Sequence, residues 1–404
     1  MSKKICITTL EFPPDVGGVG ESVARIAKLL THEGYEVHVA VFRSKQRLVP
    51  QGVHRPASCT STEQDGIHVH RIKSAAREGT PEIQDFFSEV AFYLKQLHQQ
   101  HHFDLFHGFF LTETGFVTTL LAKELNIPVI NSIRGSDLHK HLFNPKNHGQ
   151  IAWILRNSDW TTYVSQDLQQ RAIAIEPSVQ YKSSAFLNSI VPIEFENLPK
   201  PALMQDLPGV VIGSSGRFRD KKGIEYLLEA CAGLSQELDL TLLLIGDFVE
   251  KERDYWNQQI ATSGIGDRLK VTGILSRAET LSYLPHLDIY AIPSLHDGCP
   301  NAMLEAMLAG CPIVGSKVDA IGEILADGAS GIAVNPGDSQ DLAQAIRQLA
   351  VNPAQRSKLG IGARQKVLTD LAPKIEKENW LTVYRQVLID SADDLQSVPE
   401  LAVI

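Results

Sequence analysis

Ser294-Leu295-His296-Asp297-Gly298-Cys299-Pro300-Asn301-Ala302-Met303-Leu304-Glu305-Ala306-Met307-Leu308-Ala309-Gly310-Cys311-Pro312-Ile313-Val314-Gly315-Ser316 decides the reading of this chain. A short loop, a helix opening near Pro300 and a new strand follow one another without a spacer. Asp297 ends the loop, and Glu305 lies two helical turns later on the same face, so both carboxylates aim one way. The first N–H groups of such a helix have no acceptor a turn earlier, and its dipole presents a positive end there. Two carboxylates for hydroxyls, with free amides for phosphates, suit a sugar nucleotide.

The other half of that pattern lies upstream, in Gly213-Ser-Ser-Gly-Arg217-Phe-Arg219-Asp-Lys221-Lys222-Gly223. A strand over 210–214 is expected to run into a Gly-rich loop carrying Arg217 and Lys222, with a helix from about Gly223. Arginine offers phosphate oxygens a planar fork, and lysine offers a mobile point charge. Arg219 and Lys221 are expected to be solvated.

These two stretches together resemble the glycosyltransferases of family 4, which have a GT-B fold. That family's pattern is Gly-Arg, a short spacer and Lys-Gly, then an acidic pair some eighty residues on, with Glu-Ala-Met and Gly-x-Pro after it. The resemblance covers most of the chain and is strongest from Gly209 to Pro336. It implies an α/β architecture of two Rossmann-like domains whose parallel sheets face each other across a cleft. It also implies a retaining, metal-independent transferase without a cofactor, moving a hexose from a nucleoside diphosphate sugar to an acceptor hydroxyl in polysaccharide or glycolipid synthesis. UDP and glucose are the first expectation, guanosine the next base; a sugar or lipid-linked sugar is the expected acceptor.

The resemblance distributes the site as follows. Asp297, Arg217, Lys222 and Arg134 are the catalytic candidates. Gly17, Gly18, Arg217, Lys222, Asp297, Gly298, Cys299, Pro300, Asn301, Ala302 and Glu305 are the donor-binding ones. Asn301 and Ala302 offer amides to the diphosphate, Glu305 the ribose hydroxyls a partner, and Asp297 the sugar ring. Two positions depart from the family. Asp297 stands where Glu is usual, shortening the reach by about 1.5 Å. Arg134, in Ser132-Ile-Arg134-Gly135-Ser-Asp137, stands where many relatives carry His. Asp137 is either part of the site or a helix cap.

Composition narrows the alternatives. At 404 residues the chain exceeds one ordinary core and suits two domains. A net charge of −9 argues against nucleic acid as the main partner. The five cysteines are scattered and form no Cys-x-x-Cys, which fits a reducing, cytoplasmic setting. No apolar run approaches the roughly 20 residues of a membrane span, so a soluble protein is expected. No leader is expected before the first strand-like run, which begins at about Lys4.

Thirteen strand-like runs alternate with helical segments, the signature of parallel sheets with crossover helices. Residues 1–190 read as the acceptor domain, 191–208 as a Pro-rich linker and 209–372 as the donor domain. A last helix over 373–389, with Trp380 and Tyr384 on one face, is expected to return to the first domain; 390–404 reads as a loose tail. Pro13-Pro-Asp-Val-Gly17-Gly18-Val-Gly20 opens the first helix, but a dinucleotide fingerprint fails because Val23 occupies the third glycine position.

His98, His101 and His102 are helically spaced, but no carboxylate or cysteine joins them in order, and they are expected to be solvated rather than to hold a metal. The basic stretch from Arg43 to Arg77 reads as an exposed loop and a candidate for peripheral contact with anionic lipid at the inner membrane face. Two other function classes remain at this point: a nucleotide-sugar epimerase, which needs no acceptor, and a non-catalytic nucleotide-sugar-binding protein.

Overall fold

Runs of Val, Ile, Leu and Phe form the strands of two sheets, and because both faces are covered these runs are nearly continuous rather than alternating. The computed structural model describes residues 2–15, 17–42, 52, 54–75 and 83–396. They divide into two units, one made of residues up to Val164 with Leu168–Phe186 and the chain from Lys377, the other of Ser165–Asp167 and Leu187–Glu376.

The first unit holds β1 (Lys4–Thr9), β2 (Glu36–Phe42), β3 (Ser58–Gln64), β4 (Ile67–Lys73), β5 (Leu105–Phe109), β6 (Val129–Ile133), β7 (Trp160–Tyr163) and β8 (Ser183–Ala185). Their order is β3-β4-β2-β1-β5-β6-β7-β8, parallel except for β3 against β4. The strand order reverses at β1, so the loop carrying Gly17 and Gly18 leaves the carboxyl end of the switch strand. The β3–β4 hairpin was not expected: Ser-Cys-Thr-Ser-Thr-Glu-Gln lacks an apolar alternation and pairs as an exposed edge. It occupies part of the basic stretch; residues 43–51, 53 and 76–77 of that stretch lie outside the described residues.

On one face of this sheet, Val23, Ile26, Ala27 and Leu30 of the first helix pack with Trp380, Val383, Tyr384 and Val387 of the last. That last helix, Pro373–Gln396, continues seven residues past its expected end, so the tail expected from 390 onward is helical as far as Gln396. The opposite face is covered by the helix Ile83–His101.

The second unit holds β9 (Val210–Phe218), β10 (Leu240–Phe248), β11 (Leu269–Val271), β12 (Ile289–Ile292), β13 (Ile313–Ser316) and β14 (Gly331–Val334), all parallel, in the order β11-β10-β9-β12-β13-β14. Period two splits its core: Ile212, Leu242, Leu244 and Ile289 face one layer, while Val211, Leu243, Ile245 and Tyr290 face the other. The order reverses between β9 and β12; Arg217 is the penultimate residue of β9, and the loops after these two strands carry Arg219–Lys222 and Asp297. The segment 191–208 packs on this unit, burying Phe195 and Met204.

His107, fully buried on β5, places Nδ1 2.6 Å from the Tyr384 hydroxyl and Nε2 2.7 Å from the Ser132 hydroxyl. Burial, helped by the charge of Arg134, pushes its pKa from 6.5 down to about 3. The unfolded chain therefore takes up a proton that the fold refuses. Stability from this group is intact above pH 6.5 and is lost as pH falls toward 3, at up to about 1.4 kcal/mol per pH unit. Urea unfolding at pH 7 and pH 5 should show a fall in stability that is smaller in His107→Gln; equal falls in the two proteins would refute the assignment.

Candidate active site

Two loops of the second unit are zipped together by their backbones. The N–H of Leu295 donates to the carbonyl of Lys221 at 2.9 Å, and the loop bearing Leu295 is tied onward to the helix Asp319–Leu325, where Ala320 N–H donates to the Gly298 carbonyl at 3.1 Å. Gly223 (φ 63°) enables the approach: a Cβ there would lie 2.1 Å from the Pro293 carbonyl oxygen. Asp297 N–H donates to Asp319 Oδ2 at 2.9 Å, which fixes the loop tip on the opening residue of the helix Asp319–Leu325.

The zip delivers cations to Asp297. Lys222 Nζ lies 2.5 Å from Asp297 Oδ2, and Lys221 Nζ lies 3.8 Å from Oδ1. Burial alone would raise the Asp297 carboxyl, but Lys222 and Lys221, with Arg219, outweigh it and hold it below the usual carboxylate range. Lys221, expected to be solvated, instead keeps only 22% of its side chain exposed; burial, only partly offset by Asp297, lowers its pKa.

Arg217 also differs from expectation. It sits on β9 rather than in a loop, because the strand runs through Gly216 to Phe218 in register with β10. Gly246 lies so close to Gly216 that a Cβ on it would be 2.0 Å from the Gly216 carbonyl oxygen. The sequence places the strand's end at Ser214, before a Gly-rich loop; here a pair of glycines extends it to Phe218. The Arg217 side chain is exposed, and its charge, after the hydrogen bond from Arg253, helps hold the Asp247 carboxyl below the usual range. Across the ladder Asp247 is held by Arg253 at 2.8 Å.

The helix Asn301–Leu308 follows Pro300. The N–H groups of Asn301 and Ala302 open it, with no carbonyl a turn earlier to take them. Asn188 braces this turn, its Nδ2 donating to the Cys299 carbonyl at 3.1 Å and to Asn301 Oδ1 at 3.3 Å. Gly298 and Pro300 are buried, and Cys299 is half-buried. Glu305 is 9% exposed, and its Oε1 accepts from Arg277 Nε at 3.2 Å and Nη2 at 2.9 Å.

Sequence reasoning missed Arg277 and Asn188. Arg277 opens the helix Arg277–Tyr283 behind a Ser276–Glu279 capping box, a legible start signal that says nothing of where the arginine points.

The first unit arranges its candidates separately. Arg134 Nη2 donates to Ser22 Oγ at 3.0 Å, on the first turns of the helix Gly18–His32 that follows Gly17. Gly17 is extended, and a Cβ on it would meet the Glu11 carboxylate at 1.9 Å; nothing lies near Gly18. Asp137 is fully buried and accepts from the backbone N–H of Leu111 at 2.7 Å and of Arg134 at 3.1 Å, so it ties two loops together. Glu113 Oε2, close in sequence to that junction, is buried without a hydrogen-bond partner.

Residues 16–178 match Glycosyltransferase Family 4, and residues 209–352 match Glycosyl transferases group 1, together more than half the chain. The chain belongs to glycosyltransferase family 4. It is similar to the amylovoran biosynthesis glycosyltransferase AmsK of Erwinia amylovora, 26% identical over 69% of this chain and 68% of that protein. It is also similar to N-acetyl-alpha-D-glucosaminyl L-malate synthase of Bacillus anthracis, 23% identical over 96% and 98%. Among solved structures, Anabaena Alr3699/HepE in complex with UDP-glucose superposes with a TM-score of 0.69 at 20% identity, covering 98% of this chain and all of that one. The fold is GT-B, and this family member is a hexosyltransferase acting on nucleotide sugars in polysaccharide or glycoconjugate synthesis.

Gly223→Ala tests the zip. The added methyl meets the Pro293 carbonyl at a left-handed backbone position, so stability should fall by more than about 1 kcal/mol. Urea unfolding of the variant with an unchanged midpoint would show that the two loops do not depend on this approach.

Proposed function

We propose that this glycosyltransferase moves a glucosyl group from UDP-glucose to a hydroxyl of a sugar or lipid-linked sugar, with retention at the anomeric carbon and without a metal at the donor. The carrying observation is the Lys222–Asp297 pair set beside the opening amides of the helix Asn301–Leu308 and an exposed Arg217. Fixed cations and amides of this kind neutralise a departing diphosphate, the work a divalent ion does elsewhere. UDP-glucose is supported by its presence in a structural neighbour. Retention rests on the family resemblance.

In this reading Glu305, steadied by Arg277, takes the ribose hydroxyls, and Asp297 takes the sugar. Gly298, Cys299 and Pro300 shape the turn that brings the amides of Asn301 and Ala302 to the diphosphate. Gly17 and Gly18 let backbone approach the donor or the acceptor, and Arg134 meets the donor phosphate or the acceptor. The bond from the anomeric carbon to the phosphate oxygen breaks, and one to the acceptor oxygen forms. The acceptor proton passes to the leaving phosphate oxygen, so no protein nucleophile is required. Five free cysteines suit a reducing cytoplasmic setting, and no helix of the described residues is long and apolar enough to cross a membrane; contact with the inner face is peripheral.

Thermal unfolding against UDP-, GDP- and ADP-sugars should show a selective rise with UDP-glucose, about 2.7 kcal/mol of stabilisation at a hundred times the dissociation constant. Lys222→Ala and Arg217→Ala should each abolish most of that rise and lower kcat at least ~10²-fold. A larger rise with another sugar nucleotide would reassign the donor. Undiminished transfer in Lys222→Ala would remove the phosphate role.

A further inference from the structure

The amino end of the first unit's sheet gathers four histidines. Parallel register sets His38 on β2 beside His68 on β4 and Ala40 beside His70, so the three imidazoles share one face. The helix Ile83–His101 covers that face and ends with His101 over them. The His38 ring centroid lies 4.6 Å from that of His68, 5.2 Å from that of His70 and 4.4 Å from that of His101. His38 and His70 are buried; His68 and His101 are half-buried. His101 was expected to be solvated with His98 and His102. Its partners come from strands more than thirty residues away in sequence, which helical spacing does not reveal.

One nitrogen from each of His38, His70 and His101 lies within 4.8 Å of the other two. His38 Nδ1 and His70 Nε2 face each other at 2.9 Å. Their outward nitrogens each meet an oxygen: His38 Nε2 lies 3.0 Å from Glu36 Oε1, and His70 Nδ1 lies 2.7 Å from Ser61 Oγ on β3. An oxygen behind each imidazole is what orients histidine ligands and sets their tautomers at metal centres. Lys4 shares the same Glu36 oxygen at 3.1 Å, so the carboxylate is held from both sides.

We propose that His38, His70 and His101 bind a Zn²⁺ ion at the amino end of the first unit's sheet, with Glu36 and Ser61 orienting two of the rings. Three imidazoles and no oxygen-rich cage select a borderline transition metal over Ca²⁺ or Mg²⁺. Zinc–nitrogen bonds of about 2.0–2.1 Å in tetrahedral geometry need donors roughly 3.3 Å apart, so the facing nitrogens open by a few tenths of an ångström.

The proton balance is simple. Without metal, Ser61 donates to His70 Nδ1, His70 Nε2–H donates to His38 Nδ1, and His38 Nε2–H donates to Glu36. The ion takes the two facing nitrogens, and the His70 proton moves to Nδ1 and donates to Ser61. All three imidazoles stay neutral. A purely hydrogen-bonded chain accounts for His38 and His70; the His101 imidazole, which makes no side-chain hydrogen bond among the described residues, joins them through ring packing alone. The ion would pin β2, β4 and the end of the covering helix together. Being at the amino ends of the strands, it is a structural centre and takes no part in transfer.

Calorimetric titration of the untagged, EDTA-treated full chain with ZnCl₂, alongside thermal unfolding with and without ZnCl₂, tests this. The expected result is one ion per chain, a raised Tm, and binding at least ~10-fold weaker in His101→Ala. Glu36→Gln should weaken binding by about 10–100-fold while its fold persists. The double variant His98→Ala/His102→Ala should bind as the parent does. Absence of saturable binding, full affinity in His101→Ala, or loss that follows His98 and His102 would overturn the proposal. His101 ends a helix and is half-buried, so its variant carries the test even if His38→Gln does not fold.

Discussion

The second unit depends on one steric fact: the backbone at residue 223 passes so close to the Pro293 carbonyl that no side chain fits between them. That approach lets the loops after β9 and β12 hydrogen-bond to each other, and the lysine–aspartate cluster of the candidate site follows from it. Lys221 and Lys222 are carried to Asp297, whose own N–H is pinned on Asp319. A left-handed glycine costs chain entropy in the unfolded state. Here it lets two loops at a switch point act as a single rigid wall.

The first unit is organised by its covering helices. Its sheet is buried on one face by the first and last helices and on the other by Ile83–His101. Tyr384 reaches from the last helix to His107 in the middle of the sheet, where burial keeps the imidazole neutral. The chain's final helix is therefore part of the first unit's core rather than an appendage. Trp380 sits edge-on to Phe186, 4.8 Å between ring centroids, at the point where that unit's strands end.

Much of this was legible beforehand, for identifiable reasons. Strands such as Glu36–Phe42, Leu105–Phe109 and Ile289–Ile292 were located to the residue because buried parallel strands are short, largely apolar runs set off from the helical segments around them. The β3 edge escaped because a solvated strand has no reason to alternate. β9 was read four residues short because Gly216 looks like a break until its partner Gly246 is known. In the site, the residues on the two signature loops could be named, since glycine, proline and charge mark them locally. Their partners could not: Arg277, Asn188 and the histidines meet through sheet register and helix placement, which no local spacing records.

The Lys222–Asp297 contact bears on why a shorter acid stands in that loop. In the proposed reading this carboxylate serves the sugar while the lysine serves the phosphate, and the two side chains also pair with each other. A largely covered carboxylate flanked by two lysines stays ionised and gives both cations a counter-charge. An aspartate, one methylene shorter than glutamate, holds its charge back at the loop and next to the lysines. The longer acid would extend toward the sugar and loosen that pairing. In the proposed reading, an aspartate here favours holding the cations over gripping the sugar, and the loop's anchorage on Asp319 fixes the backbone that carries that shorter carboxylate.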